Sequence, residues 1–378
     1  MSESPSEQVA SPSVALRAAV RLSLVSGIGP RTYRQLVDAF GGPEEVLRAR
    51  PSELRALPGI GVKLAREIGL ADQNVDIDDE LKRCKDFGID IAEVRDATYP
   101  RRLTEIFDPP SVIYRQGRML PQDELAIAIV GTRHPSPYGV TQAERFAKGL
   151  ANAGLTIVSG LARGIDAVAH RGALAVGGRT LAVLGSGILS LYPPDHRSLA
   201  DEIVKHGALL SEFPTLQPPK AGAFPQRNRL VSGLSLGVIV IEAAERSGAL
   251  ISARHAMDQN REVFALPGRV DNRNSRGCHR LIRDGAKLIE TIDDVLAELG
   301  PLATPTKIDS KTAVHHPAEL RLNEREQAIL QAIDKEPTSI DAIMGKTAFP
   351  VQQILATVSV LEMRRLVRRI SGTTLIRL

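Results

Sequence analysis

The chain of 378 residues is too long for one ordinary core, which predicts two or three domains. Apolar residues at 43% and charged residues at 24% exclude a wholly disordered chain, and no run reaches the roughly 18 to 20 apolar residues of a membrane helix. A net charge of +4 is too small to demand a nucleic-acid partner, and 3% aromatics without tryptophan exclude an extended stacking platform.

Met1 to Ser13 hold serine, glutamate and proline with no basic start before an apolar stretch, so no secretory signal is expected. Residues 14–75 are predicted to form a small helical domain with an internal repeat. Gly27-Ile28-Gly29 precedes a helical pattern from Arg31 to Phe40, and Gly59-Ile60-Gly61 precedes another from Lys63 to Ile68. Each reads as helix, tight turn, helix, with free N–H groups at the second helix start. The pattern resembles a helix-hairpin-helix, which holds DNA phosphates; the same glycines also serve as plain αα-corners in a protein-docking module.

Residues 76–299 are predicted as an α/β domain with its motif core at 125–299. Candidate strands are Leu125–Val130, Leu155–Val158, Thr180–Leu184, Ala208–Ser211, Val238–Glu242, Glu262–Leu266 and Lys287–Glu290, with helical stretches between most of them. Short Val/Ile/Leu-rich strands alternating with helices predict a mainly parallel sheet covered on both faces. Residues 300–318 read as a proline-rich linker. Residues 319–378 read as three helices and a closing hairpin, the layout of a winged helix. Arg364, Arg365, Arg368, Arg369 and Arg377 near the end form either a phosphate-facing wing or a solvated helix end beside a protein-docking module.

In an open parallel sheet the ligand site lies beyond the carboxyl ends of the strands. There this chain carries Gly131-Thr132-Arg133, Ser159-Gly160-Leu161-Ala162-Arg163-Gly164-Ile165-Asp166, Gly185-Ser186-Gly187 and Ser247-Gly248-Ala249. Small residues admit close backbone approach, helix starts favour oxyanions, and Arg133 and Arg163 supply forks suited to phosphate. Phe224 offers a face for a base, followed by Arg227 and Arg229, which are alternatively the start of a helix pairing with carboxylates; Gln226 and Asn228 can bond a base edge or a phosphate. Asp166, Glu212 and Glu242 stand on separate loops without metal-ligand spacing, and His170 reads as a packing or capping residue. Cys84 and Cys278 fit neither a disulfide framework nor a metal cluster. No cofactor, metal or catalytic residue is expected.

These loops, with Ala265-Leu266-Pro267-Gly268 and Gly277-Cys278-His279-Arg280-Leu281-Ile282-Arg283-Asp284-Gly285-Ala286, resemble the DprA (Smf, DNA-processing protein A) family in the right order from about Arg101 to Leu299. The resemblance implies a multidomain α/β protein, with a central extended Rossmann-like parallel sheet, an N-terminal helix-hairpin-helix (SAM-like) domain and a C-terminal winged helix. It implies a cytoplasmic, non-catalytic adaptor that binds single-stranded DNA, protects incoming DNA, forms a homodimer and helps load the RecA recombinase in natural transformation, with no membrane partner. Arg133, Arg163, Lys220, Arg227 and Arg229 would be phosphate ligands. Gly131, Ser159, Gly160, Ser186, Gly187, Ser247 and Gly248 would give close backbone contacts, and His279 and Leu288 would lie at the dimer interface. Tyr192-Pro193 is followed by Pro194 where some members carry a basic residue, leaving Arg197 as the replacement. The rival reading is a phosphoribohydrolase-like enzyme on a similar fold; its catalytic glutamate has no counterpart in Arg246–Ser252.

Overall fold

A computed structural model describes residues 13–301, 306–307 and 313–378. The chain divides into two compact units. The first runs to Gln116 and takes in Leu184–Leu191 and Leu210–Lys220; the second comprises Gly117–Val183, Tyr192–Leu209 and Ala221–Leu378. The division falls within the expected 76–299 domain rather than at residue 75, because the segment after Val75 packs on the N-terminal helices. Among the described residues no helix is long and apolar enough to cross a membrane.

In the first unit Ser13 caps the helix Val14–Leu24 by accepting from the Leu16 N–H at 3.1 Å. The two predicted turns are formed as expected. Gly27 (φ 93°) and Gly59 (φ 82°) take left-handed conformations, and Gly29 and Gly61 are the N-cap residues of Pro30–Phe40 and Val62–Gly69. The Gln35 side chain donates to the Pro58 carbonyl at 2.8 Å, tying one hairpin to the other, above a core that includes Leu22, Leu36, Leu54 and Ile68. Strands β1 (Ile89–Glu93) and β2 (Val112–Gly117) pair antiparallel, an element absent from the sequence expectation. Glu80 is buried, paired with Arg83 at 2.8 Å, and accepts from the Thr215 N–H and hydroxyl at 2.6 and 2.9 Å. That carboxylate fastens the 210–220 segment into this unit.

In the second unit β3 (Ala126–Val130), β4 (Thr156–Ser159), β5 (Thr180–Val183), β7 (Gly237–Val240), β8 (Glu262–Ala265) and β9 (Lys287–Leu288) lie parallel in the order β5-β4-β3-β7-β8-β9; β6 (Gly207–Ser211) falls at the division of the units. Their apolar residues are buried on both faces, as the continuous Ile/Val runs require. Helices Pro137–Asn152, Ile165–Leu174, Ala223–Gly233, Ala249–Asp258 and Arg276–Arg283 belong to the same unit. The third begins ahead of Arg227, as the helical alternative for that segment anticipated.

Within the expected linker, β10 (Thr306–Lys307) and β11 (Ala313–Val314) pair antiparallel; residues 302–305 and 308–312 lie outside the described residues. Helices Glu324–Ala332, Ile340–Thr347 and Val351–Met363 with β12 (Thr338–Ser339), β13 (Val367–Ser371) and β14 (Thr374–Arg377), ordered β12-β14-β13, make the winged helix. One apolar core runs from Phe146 and Leu150 through Val295 and Leu299 to Ile329, Ile354 and Leu375, so this module shares its interior with the sheet.

Candidate functional site

From β3 the chain steps outward to β4 and β5; it later resumes on the other side of β3 with β7, β8 and β9. The reversal between β3 and β7 is a topological switch point, where the loops part and leave a crevice. A pocket of about 1070 Å³ lies there, walled by the loops after β3, β4, β7 and β8 and by the helix Ala223–Gly233.

The loops owe their shape to a few tight approaches. Gly164 has φ 80°, and a side chain there would strike the Thr132 carbonyl, so glycine lets the β4 loop close onto the β3 loop. At Gly131 a Cβ would come within 2.6 Å of Ile165. Buried Leu161 also takes a positive φ of 55°. The Asp166 carboxylate accepts from the Gly160 and Ala162 N–H groups at 3.1 and 3.4 Å, folding the loop over the helix start. Burial pushes its pKa up, against the opposing pull of Arg227 and those amides. Glu242 is likewise buried and accepts from the Ser136 N–H and hydroxyl at 2.9 and 2.6 Å, holding the start of Pro137–Asn152. Both carboxylates build the loops.

The expected residues separate into three groups. Gly131, Arg133, Gly160, Phe224, Arg227, Asn228, Ser247 and Gly248 all line the pocket. Of these, exposed Arg133 places its guanidinium over the Phe224 ring, 5.5 Å from the centroid, and Tyr192 meets the same ring at 5.7 Å. Gly248 caps the helix Ala249–Asp258 with open space where a Cβ would stand, and Asn228 donates to its carbonyl at 3.3 Å.

Arg227 and Arg229 are corrected from free phosphate ligands to internal cations. Arg227 is 3% exposed and donates to the Val183 carbonyl; burial pulls its pKa down to about 10 against the raising influence of Asp166. Any side chain at Gly160 would collide with its guanidinium. Arg229 is 4% exposed and donates to the Gln226 carbonyl at 3.4 Å. The Ser159 hydroxyl, also buried, donates to the Ile129 carbonyl at 2.6 Å.

The third group does not line the pocket. Arg163 is exposed and paired with Asp195 at 2.6 Å, and Arg197 opens the helix Arg197–His206. Ser186, Gly187 and Lys220 belong to the first unit. There the Ser186 carbonyl accepts from the Ser211 hydroxyl at 2.8 Å, and Gly187 has no room for a Cβ against the Pro214 and Thr215 carbonyls; Lys220 is exposed. His279 is half-buried with its Nε2 3.0 Å from the Gly268 carbonyl, whereas Leu288 on the end strand β9 is 49% exposed.

Three arginines not expected from sequence also line the pocket: Arg246, Arg273 and Arg276. All three are exposed, and none of their side chains has a hydrogen bond or ion pair among the described residues. Their only sequence signal is position, in the loops after β7 and β8 and at a helix start beyond a strand end.

The C-terminal arginines behave differently. Arg364 lies 3.5 Å from Glu326, Arg365 3.3 Å from Glu298, Arg369 3.2 Å from Glu362 and Arg377 2.9 Å from Glu319. Arg368 alone of the five is exposed without such a partner among the described residues. Glu362 is the single charged residue of the helix Val351–Met363. A phosphate-facing wing has therefore lost most of its free charge to carboxylates of the chain itself.

The family model for DNA recombination-mediator protein A matches residues 90–300, that for the DprA winged helix domain residues 313–373, and that for a SAM-like helix-hairpin-helix tandem residues 20–71. Protein Smf of Synechocystis sp. is 35% identical over 93% of this chain and 96% of its own. DNA processing protein DprA of Streptococcus pneumoniae is 44% identical over 54% of this chain and 72% of its own. The X-ray structure of the Streptococcus pneumoniae protein superposes with a TM-score of 0.67 at 35% identity, covering 75% of this chain and 98% of that one. A structure of DNA processing protein A from Helicobacter pylori, described for its single-stranded DNA binding mode, gives a TM-score of 0.51 at 34% identity, covering 55% and 94%.

Proposed function

The chain belongs to the DNA recombination-mediator protein A family, also called DprA or Smf, and from that premise we propose that it binds single-stranded DNA as an adaptor rather than an enzyme. The observation that carries the reading is the pocket wall: Arg133, Arg246, Arg273 and Arg276, none tied up in an ion pair among the described residues, surround the Gly248-capped start of the helix Ala249–Asp258 and a partly exposed phenyl ring. Guanidinium groups and helix N–H groups take phosphate oxygens. A phenyl face takes a base only when that base is unstacked, which favours a single strand over a duplex. Burial of Asp166 and Glu242 supports binding without chemistry, since both are spent on backbone N–H and hydroxyl donors.

In this reading the protein works in the cytoplasm as a homodimer through the β9 end of the sheet, covers incoming DNA and helps load the RecA recombinase in transformation and recombination. Titration of the purified protein with a labelled single strand and the matching duplex over a salt series tests the first step. Tighter binding to the single strand that weakens steeply with salt is expected. Equal affinity for both, or release of free base from a nucleoside monophosphate, overturns it.

A further inference from the structure

The arginines between Arg269 and Arg280 differ in what they touch. Arg269 closes on Asp271 with bonds of 3.0 and 2.9 Å, and Arg280 lies 3.5 Å from Asp284. Arg273 and Arg276, between them, line the pocket with no such partner among the described residues. The backbone beneath them is fixed from several sides. The Asn272 side chain accepts from the Asn274 N–H at 2.9 Å and donates to Glu242 at 3.3 Å. The Asn274 carbonyl accepts from the Ala243 N–H at 2.7 Å, and its side-chain amide donates to the His134 carbonyl at 3.2 Å. Ser275 is buried. Two free cations thus stand on backbone already ordered before any ligand arrives, Arg273 in the loop and Arg276 at the first position of the helix Arg276–Arg283, so little ordering cost falls on binding.

Their place in the sheet separates them from Arg133. The β3 loop carries Arg133, turned to Phe224; the β8 loop carries Arg273 two strands away, roughly 10 Å at the usual strand spacing of about 4.8 Å. The β7 loop, with Gly248, lies between. A pocket of about 1070 Å³ has room for more than one nucleotide. Resting on the single-stranded DNA reading, we propose that Arg273 and Arg276 form a second phosphate station, taking the phosphate next to one held by Arg133 and the Gly248 helix start. The pocket then grips two successive phosphates of one strand and sets that strand's course across the β3, β7 and β8 loops.

The full chain carrying both Arg273→Ala and Arg276→Ala tests this in titrations with a long oligothymidylate over a salt series. The expected result is binding about tenfold weaker. The slope of log affinity against log salt should become shallower by about 0.7, the value of one phosphate on a single strand. The melting temperature should be unchanged, and the paired Lys substitutions should restore the slope. An unchanged affinity and slope in the double Ala variant, with binding lost in Arg133→Ala, overturns the second station and leaves the pocket reading standing. A lowered melting temperature without rescue by Lys also overturns it, by making the arginines structural. Full binding in both the double variant and Arg133→Ala refutes the pocket reading and the station with it.

Discussion

The Arg133 guanidinium rests over the Phe224 ring, 5.5 Å from its centroid, so that the pocket offers charge and an aromatic face together. A phosphate drawn by Arg133 leaves the neighbouring base within reach of that ring. Replacing Arg133 with Ala should weaken single-strand binding by about tenfold with no change in melting temperature, because an exposed loop cation adds little to stability. Phe224→Leu should weaken binding by about 1 kcal/mol or more while keeping the side chain apolar, since the flat face is lost. Binding isotherms beside thermal melts check both; normal affinity in Arg133→Ala with a lowered melt would make the residue structural.

Gly164 closes the β4 loop onto the β3 loop while Gly248 lines the crevice itself, and substitution separates the two roles. Gly164→Ala puts a Cβ against the Thr132 carbonyl at a φ of 80°, and should cost about 1–3 kcal/mol of stability. Gly248→Ala meets open space at a φ of −60° that any residue adopts, so stability should hold. If ligand backbone comes close to that helix start, affinity for single strands falls in Gly248→Ala while the melt does not. Unchanged affinity there would mean that the strand passes elsewhere.

Much of this architecture is legible from local pattern. The central strands fall within a residue or two of their predicted bounds, because Val/Ile/Leu runs closed by glycine leave few alternatives. The fates of the arginines are not local. Arg163 meets Asp195, Arg227 sinks beside Asp166, and Arg377 finds Glu319, and each partner is supplied by tertiary folding. Ser186 and Gly187 follow a strand end like the pocket glycines do, yet pack against the 210–220 segment, whose attachment through Glu80 no local signal announces. Nothing local sets Arg273 and Arg276 apart from Arg269 and Arg280; the fold pairs the latter two with Asp271 and Asp284.

His170 is a buried base whose protonation should make the fold acid-sensitive. The Thr180 hydroxyl donates to the Ile157 carbonyl at 2.7 Å, so at the 2.6 Å contact His170 Nδ1 is the donor and Nε2 is left bare. A proton on Nε2 would be buried without an acceptor, near Arg227, His196 and Arg171, and burial first, then these charges, lower the pKa to about 3. The unfolded chain takes that proton near 6.5 and the folded one does not, so the stability is full above pH 6.5 and is lost as pH falls towards 3. His316, lowered to about 4 by burial, acts in the same sense; Asp166, raised by burial, acts against it. Urea unfolding between pH 6.5 and 4.5 should show stability falling by about 1.4 kcal/mol per unit for His170 alone, and His170→Gln should flatten that slope. An equally steep slope in the variant would assign the sensitivity to other groups.

The paired arginines of the C-terminal module should matter to stability rather than to DNA. Arg364 and Arg377 face carboxylates that are largely shielded, and Arg365 faces Glu298 at the end of the helix Ile292–Glu298. Changing Arg364, Arg369 and Arg377 to Gln should lower stability by about 1 kcal/mol per partly buried pair and leave single-strand affinity within twofold. Loss of DNA binding at an unchanged melting temperature would return the wing to phosphate duty.

Self-association is the remaining test, and Leu288 is the residue to change. It lies on β9, the last strand of the parallel sheet order, and is 49% exposed, while Ile289 beside it is fully buried. A short end strand with an exposed leucine leaves backbone groups and apolar surface open to a partner. A two-fold arrangement would use the same patch on both copies. Met257 on the helix Ala249–Asp258 is also exposed in this unit, at 48%, whereas His279 is held by the Gly268 carbonyl and offers less. Leu288→Arg should therefore yield a folded monomer in sedimentation, and His279→Ala a smaller shift. The monomer should keep its affinity for oligonucleotides short enough to fill one pocket. It should lose affinity for long strands, because a second pocket on the partner raises the effective concentration along one strand. An unchanged dimer in Leu288→Arg would move the interface off β9, and a monomer that holds long strands as tightly as the parent would detach dimerisation from DNA binding.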